Sequence, residues 1–206
     1  MLYFHWILLA AFLLCLLQLG VRVAKIFRAG APKDYSAPIG DKKKAIGYSF
    51  TGAMSPKHKE SAYLHLPTYA AGIFYHMGTF FGLLWLIILF TNLILPAIVI
   101  QMSAIFHFVG AAAGLGILIK RIVAPKMRQL SNADDFISNL LVTGFQAFLG
   151  IALLMPQYIP HMMIYTAILF LYMPVGKLRH CAYFFAARLH LGYFFGHRGV
   201  WPVKHG

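Results

Sequence analysis

Ten histidines stand in a chain with only five acidic residues and two cysteines. Their positions suggest chemistry. His161 and His180 lie near the two ends of the last apolar stretch, Ile159-Pro-His161 through Met173-Pro-Val-Gly-Lys-Leu-Arg-His180. A histidine inside a bilayer is costly and by default marks a functional site. Two on one helix, near opposite membrane surfaces, point to redox or proton sites across the bilayer. Haem iron takes imidazole as an axial ligand, and a haem held by two suits electron transfer. Holding it requires one histidine from each of two helices at matched depth.

His65 and His76, on an earlier apolar segment, supply the partners. They are roughly 16 Å apart along a helix at 1.5 Å per residue. At about 100° per residue, the step from one to the other returns to nearly the same face. The expected iron-ligand pairs are therefore His65 with His180 and His76 with His161. The second pair has an imperfect depth match, because His161 sits nearer the surface than His76. Two b-type haems follow, or one if His65 is only interfacial. His107 has two readings: a packing residue inside the bundle, or a ligand or proton carrier on the third segment. His5, His58, His190, His197 and His205 fall near surfaces and read as solvated. There is no C-x-x-C-H, which excludes covalent c-type haem. Two cysteines are too few for an iron–sulfur cluster.

The elements that must position these groups are membrane helices. The 206 residues are 60% hydrophobic and 11% charged, with mean hydropathy +0.72. That apolar share is far above the soluble range, and the reading is a polytopic, all-α membrane bundle. Five spans are expected, at about 2–23, 62–93, 97–122, 136–155 and 159–180. They make one domain, 1–180, followed by a basic, aromatic tail, 181–206, that reads as an interfacial helix or partner contact. The first span lacks a basic n-region and a small-residue cleavage site, so it does not read as a signal peptide. Residues 29–61 are polar and rich in Pro and Gly, which argues against a long helix. Ser131-Asn-Ala-Asp134-Asp135 reads as a turn and N-cap for the fourth span.

Charge orients the bundle. All 18 Lys and Arg lie at or beyond span ends that a five-span chain with its N-terminus outside would place in the cytoplasm. The turns 91–96 and 156–160 have none. Positive residues collect on the cytoplasmic side, so the N-terminus is expected outside and the C-terminus inside. The net charge of +13 is thereby explained by membrane lipid, with no call for nucleic acid. Arg22, Arg121, Lys177 and Arg179 are candidates to neutralise haem propionates, or serve only to set topology.

Tyr63-Leu-His65, Gly72-Ile-Phe-Tyr-His76, His161 and the Met173–His180 ending carry a resemblance. The chain resembles the gamma subunit of respiratory nitrate reductase, a di-haem cytochrome b. It is closer to the membrane cytochrome b of heterodisulfide reductase and of sulfite-reduction-linked complexes. The spacing departs by one extra residue within each histidine pair. The resemblance implies a multi-pass protein of a prokaryotic cytoplasmic membrane. It implies a quinone or quinol site beside the outer haem. It also implies a cytoplasmic iron–sulfur subunit beside the inner one, with further subunits in a respiratory oxidoreductase. The competing readings are a haem-free anchor for a peripheral redox complex and a transporter with histidine relays. Neither inverted repeats nor broken helices stand out, which disfavours the transporter.

Overall fold

The computed structural model describes residues 2–30, 34–55, 65–91 and 93–203. Among these the chain is helical, with no strand. Its helices are α1 (Tyr3–Ala29), α2 (Lys42–Phe50), α3 (Leu66–Thr91), α4 (Ala97–Val123), α5 (Pro125–Gln129), α6 (Ala133–Leu154), α7 (Ile159–Tyr172) and α8 (His180–His197). Four of them, α1, α3, α4 and α6, are long and apolar enough to cross a membrane. Segments 156–172 and 177–197 add a fifth only if they are taken together as one broken span.

The ends of these helices follow from local chemistry. Helix α1 runs past the expected boundary to Ala29, through Arg22, Lys25 and Arg28. Basic residues in a last turn suit the helix dipole. Gly30 then takes φ 70°, a left-handed stop that glycine adopts freely. Helix α3 starts at Leu66 with Pro67 in its first turn, where the missing N–H costs nothing. His65 stands in the turn just before it. The same-face argument linking His65 to His76 therefore does not hold strictly, because His65 is not in the helix. Asn132 caps α6 in a reciprocal capping box with Asp135, so the polar turn before the fourth span does what its residues predict.

The stretch 159–180, expected as one span, is divided. Helix α7 has 14 residues, about 21 Å at 1.5 Å per residue, short of a hydrocarbon core of about 30 Å. Pro174 ends it, since proline lacks the N–H and clashes with the preceding turn. The amides of Val175 and Gly176 both return to the Tyr172 carbonyl at 3.0 Å. A 3₁₀ turn at Lys177–Arg179 leads into α8.

The chain forms two compact units. One holds residues 1–17 and 67–178 and contains α3 to α7. Its tightest packing uses a stripe of small residues on α4: Ser103, Ala104, Gly110, Ala111 and Gly114 are buried there. A Cβ on Gly110 would overlap the Gln146 carboxamide of α6, and a Cβ on Gly114 would overlap Tyr75 and Thr143. Small residues let membrane helices approach closely where water offers no driving force. Gln146 Nε2 donates to the Tyr75 carbonyl and to Thr79 Oγ1, each at 3.0 Å. The Tyr75 hydroxyl donates to the Asn139 carbonyl at 2.9 Å. At the basic ends, Asp135 receives Lys177 at 2.7 Å and faces Arg121 at 3.4 Å.

The other unit holds residues 18–66 and 179–206. Its centre is the pairing of α2 with α8. Asp41 caps α2 by accepting from the amides of Lys43 and Lys44, at 2.9 and 3.1 Å, a contribution of about 1 kcal/mol. Ser49 Oγ donates to the Arg188 carbonyl at 2.9 Å, and Lys42 Nζ donates to the Tyr193 hydroxyl at 3.0 Å. Gly192 and Gly196 are buried against Ile46 and Ala45. The Arg198 guanidinium grips Asp34 with two nitrogens, at 2.8 and 3.1 Å. The Ser36 hydroxyl and amide, with Arg198, hold the Asp34 carboxyl below its usual range. Helix α8, in the stretch read as a basic, aromatic tail, thus packs on α2 within the chain.

Candidate functional site

Of the four expected iron ligands, His76 has the most informative surroundings. It lies ten residues into α3 and is exposed, among exposed Phe74, Met77 and Phe80. Its Nδ1 is 2.6 Å from the Gly72 carbonyl, one turn earlier. A carbonyl can only accept, so Nδ1 must carry the proton. The other nitrogen, Nε2, then holds the lone pair and has no hydrogen bond among the described residues. A metal-binding histidine is commonly held in this way, with one ring nitrogen donating to a carbonyl and the other bare.

His161 is exposed at the third position of α7, with the Tyr158 ring 5.9 Å away. It shares the unit of residues 1–17 and 67–178 with His76. His65 and His180 are exposed too, and both belong to the other unit, His180 as the first residue of α8. Among the described residues there is no group of three or more His, Cys, Asp or Glu able to hold a metal ion. A haem with two imidazoles needs only one side chain from each side, so its ligands would not form such a group.

His107 is fully buried on the packed face of α4, parallel to the Phe81 ring at 5.4 Å. It occupies a packing position, yet neither ring nitrogen has a partner among the described residues. Its neighbours in this respect are the Trp85 indole nitrogen and Gln146 Oε1, also buried and unpartnered. Arg121 and Lys177, candidates for propionate neutralisation, already share the Asp135 carboxylate. Arg179 is exposed and Arg22 half-buried.

Two surface histidines of the sequence reading sit differently from expectation. His197 is 7% exposed, with Nε2 2.8 Å from the Ser36 carbonyl. His5 is half-buried beside the Phe4, Leu8, Ala11 and Cys15 stripe of α1. His190 is exposed, as expected. His58 and His205 lie outside the described residues.

A cavity of about 590 Å³ opens where α1, α4 and α7 begin and α3 and α6 end. Its wall is apolar apart from His5, Trp85 and Gln157, and it includes Pro160 and Met163 on either side of His161 in sequence. Composition gave no hint of this site. The one sequence signal was His5 next to the α1 stripe, at a spacing that brings it to the edge of the packed face.

Comparison of the chain with family models, with characterised proteins and with solved structures gives no match.

Proposed function

We propose that this protein is a di-haem cytochrome b subunit of a respiratory membrane complex. It carries electrons between the quinone pool and an iron–sulfur subunit on the cytoplasmic side. The observation that carries the reading is His76. An exposed imidazole on an apolar spanning helix is expensive in lipid, and its proton is held on Nδ1 by the Gly72 carbonyl. That leaves Nε2 bare on an exposed face of the helix, free to act as a ligand nitrogen. His76 and His161 would hold the outer haem, and His65 and His180 the inner one. Haem would supply one-electron redox chemistry, while the protein positions it and tunes its surroundings. A reduced-minus-oxidised optical spectrum of the purified protein, with haem counted per chain, tests this. Sharp b-type bands and about two haems per chain are expected. A featureless spectrum would favour the haem-free anchor, and one haem would leave a single-haem cytochrome b.

The orientation belongs to the same reading. The N-terminus and the turns 91–96 and 156–160 face outside, and the rest of the connecting segments face the cytoplasm, because every Lys and Arg lies at that side. Reporter fusions at residue 45 and after residue 206 should both report the cytoplasm. An external signal from either defeats this topology. The partner subunit would dock on the basic residues around α2, where Lys43 and Lys44 are exposed and charge would steer association. Deleting residues after Ala182 would not test that docking cleanly, since it removes α8 and strips α2 of its packing partner.

A further inference from the structure

We propose that the seam where α3, α4 and α6 meet is a hydrated proton path, and that His107 is its carrier. This goes beyond the electron-transfer reading and does not rest on it.

The seam lies within the unit of residues 1–17 and 67–178. On α4 its buried stripe runs Ser103, His107, Gly110 and Gly114, at the three- and four-residue steps of one helix face. Polar groups of α3 and α6 stand against it in order of depth. At the charged end, Ser138 Oγ donates to Asp134 Oδ1 at 3.0 Å. Further in, the Thr143 hydroxyl has two acceptors within reach, Tyr75 Oη at 3.2 Å and Asn139 Oδ1 at 3.1 Å. It has one proton to give, so it can switch between them. Next, Thr79 Oγ1 receives Gln146 Nε2 at 3.0 Å. From Asp134 to Gln146 these groups cover about 18 Å of α6, at 1.5 Å per residue. His107 follows, and beyond it lies the cavity, whose wall includes Trp85 of α3 and Ile100 of α4.

Most buried polar groups find a partner. Around His107 three side chains keep polar atoms that do not. His107 is fully buried, with both ring nitrogens unpartnered among the described residues. The same holds for the Trp85 indole N–H, on a side chain 3% exposed, and for Oε1 of the fully buried Gln146. They are neighbours in the seam. The Phe81 ring stacks on His107 at 5.4 Å and meets Trp85 at 6.5 Å. Gln146 Oε1 lies against Gly110, one turn from His107, and a Cβ on Gly78 or Gly110 would run into it. This set holds both donors and acceptors. Water serves both, and a buried water typically makes about three hydrogen bonds to such groups.

An imidazole with both nitrogens free can take a proton on one and release another from the other. His76 and His197 differ, since each has a nitrogen tied to a carbonyl. At His107, water delivers a proton to the bare nitrogen of the neutral ring, which becomes imidazolium. The opposite N–H then gives its proton to water on the cavity side. The ring is neutral again, one proton has passed and no electron has moved. Exchange through the same waters resets the tautomer. The hydroxyls of Ser138, Tyr75, Thr143 and Thr79 relay by accepting one proton and releasing another, and the Gln146 amide positions Thr79. Of the groups named in this seam, only Tyr75 and Asp134 also titrate. No Lys, Arg, Asp or Glu lies on α3, on α4 before Lys120 or on α6 after Asp135, so no fixed charge on these helices traps the proton at His107.

The test uses the purified full chain in phosphatidylcholine vesicles that hold a pH-sensitive dye. Valinomycin and a potassium gradient set the potential, and the rate of internal pH change gives the proton flux. The unaltered protein should pass protons faster than protein-free vesicles. His107→Phe, which keeps a ring against Phe81, should lower the flux by about a hundredfold, the low end of what a positioned proton carrier contributes. Tyr75→Phe, which removes only the hydroxyl, should lower it by about tenfold, the value of one hydrogen bond. His190→Phe, at an exposed position in the other unit, should conduct as the unaltered chain does. Flux no greater than in protein-free vesicles overturns the path. Unchanged flux in His107→Phe overturns the role of His107. Where that variant does not fold, Tyr75→Phe decides, and unchanged flux there overturns the path. Conduction that depends on His107 in protein without haem would uphold this inference and sink the cytochrome reading.

Discussion

His76→Ala is expected to remove about one haem of two and to abolish reduction of the protein by quinol, because both ligands of an axial pair are needed to hold a haem that has no covalent attachment. The substitution deletes the imidazole whose Nδ1 is tied to the Gly72 carbonyl at 2.6 Å. It leaves the helix itself unharmed, since alanine is the best helix former. His180→Ala should also remove about one haem, but a different one. The outer haem would still accept electrons from quinol, while transfer to the partner subunit would stop. His107→Ala should leave both haems in place, since His107 is buried against Phe81 in the packed face of α4. It should cost stability instead, through the space left in a closely packed seam. Haem per chain and quinol reduction, measured on the three variants, decide the pairing. Loss of all haem from either His76→Ala or His180→Ala would replace two sites with one. Loss of a haem from His107→Ala would bring α4 into the site.

Gly192→Leu should break the pairing of α2 with α8. A Cβ at Gly192 would lie 2.5 Å from the Ile46 Cα, and a Cβ at Gly196 would lie 2.9 Å from the Lys42 Cα. Backbone cannot rotate away as a flexible side chain can, so the helices must separate. Overpacking of this kind typically costs about 1–3 kcal/mol, and a leucine against backbone belongs at the upper end. Separation would also break the Ser49 bond to the Arg188 carbonyl and the Lys42 bond to the Tyr193 hydroxyl. The expected result is rapid proteolytic cleavage within 34–55 under conditions where the unaltered chain resists. Equal resistance would mean that the α2–α8 contact contributes little. Under the proposed reading, haem binding at His76 should be untouched by this change, because His76 belongs to the other unit.

Much of the helical framework could be read from sequence. The segments around 97–122 and 136–155 are helices at Ala97–Val123 and Ala133–Leu154. Their ends were legible because Pro96, the Asn132–Asp135 capping box and the Lys120–Arg121 close are local signals that act within one turn. The break in 159–180 was legible in principle from Met173-Pro-Val-Gly176, yet uniform hydropathy outweighed it. Hydropathy measures transfer to lipid and says nothing about whether the backbone can continue a helix. The short helix α2 was hidden for the opposite reason. It is polar, so only its Asp41 cap and its packing on α8 reveal it.

The histidines divide in the same way. That His76 lies on an apolar helix is a fact of sequence, as are its distance from His65 and the positive charges that gather at alternate span ends. Which nitrogen of His76 carries the proton is not, because that depends on the ring reaching the Gly72 carbonyl. Nor could spacing alone show that His65 stands in a turn before α3, or that His197 is buried against Ser36 rather than solvated. His5 makes the contrast plainest. In sequence it is one residue beside an apolar stripe. In the structure it lines a cavity, because side chains from α3, α4, α6 and α7 close around it. The sequence by itself determined which segments are helical and apolar, since those properties are summed from near neighbours. Only the tertiary structure decided which polar groups are sealed, paired or left facing a cavity, since those depend on residues far apart in the chain meeting at Å-scale distances.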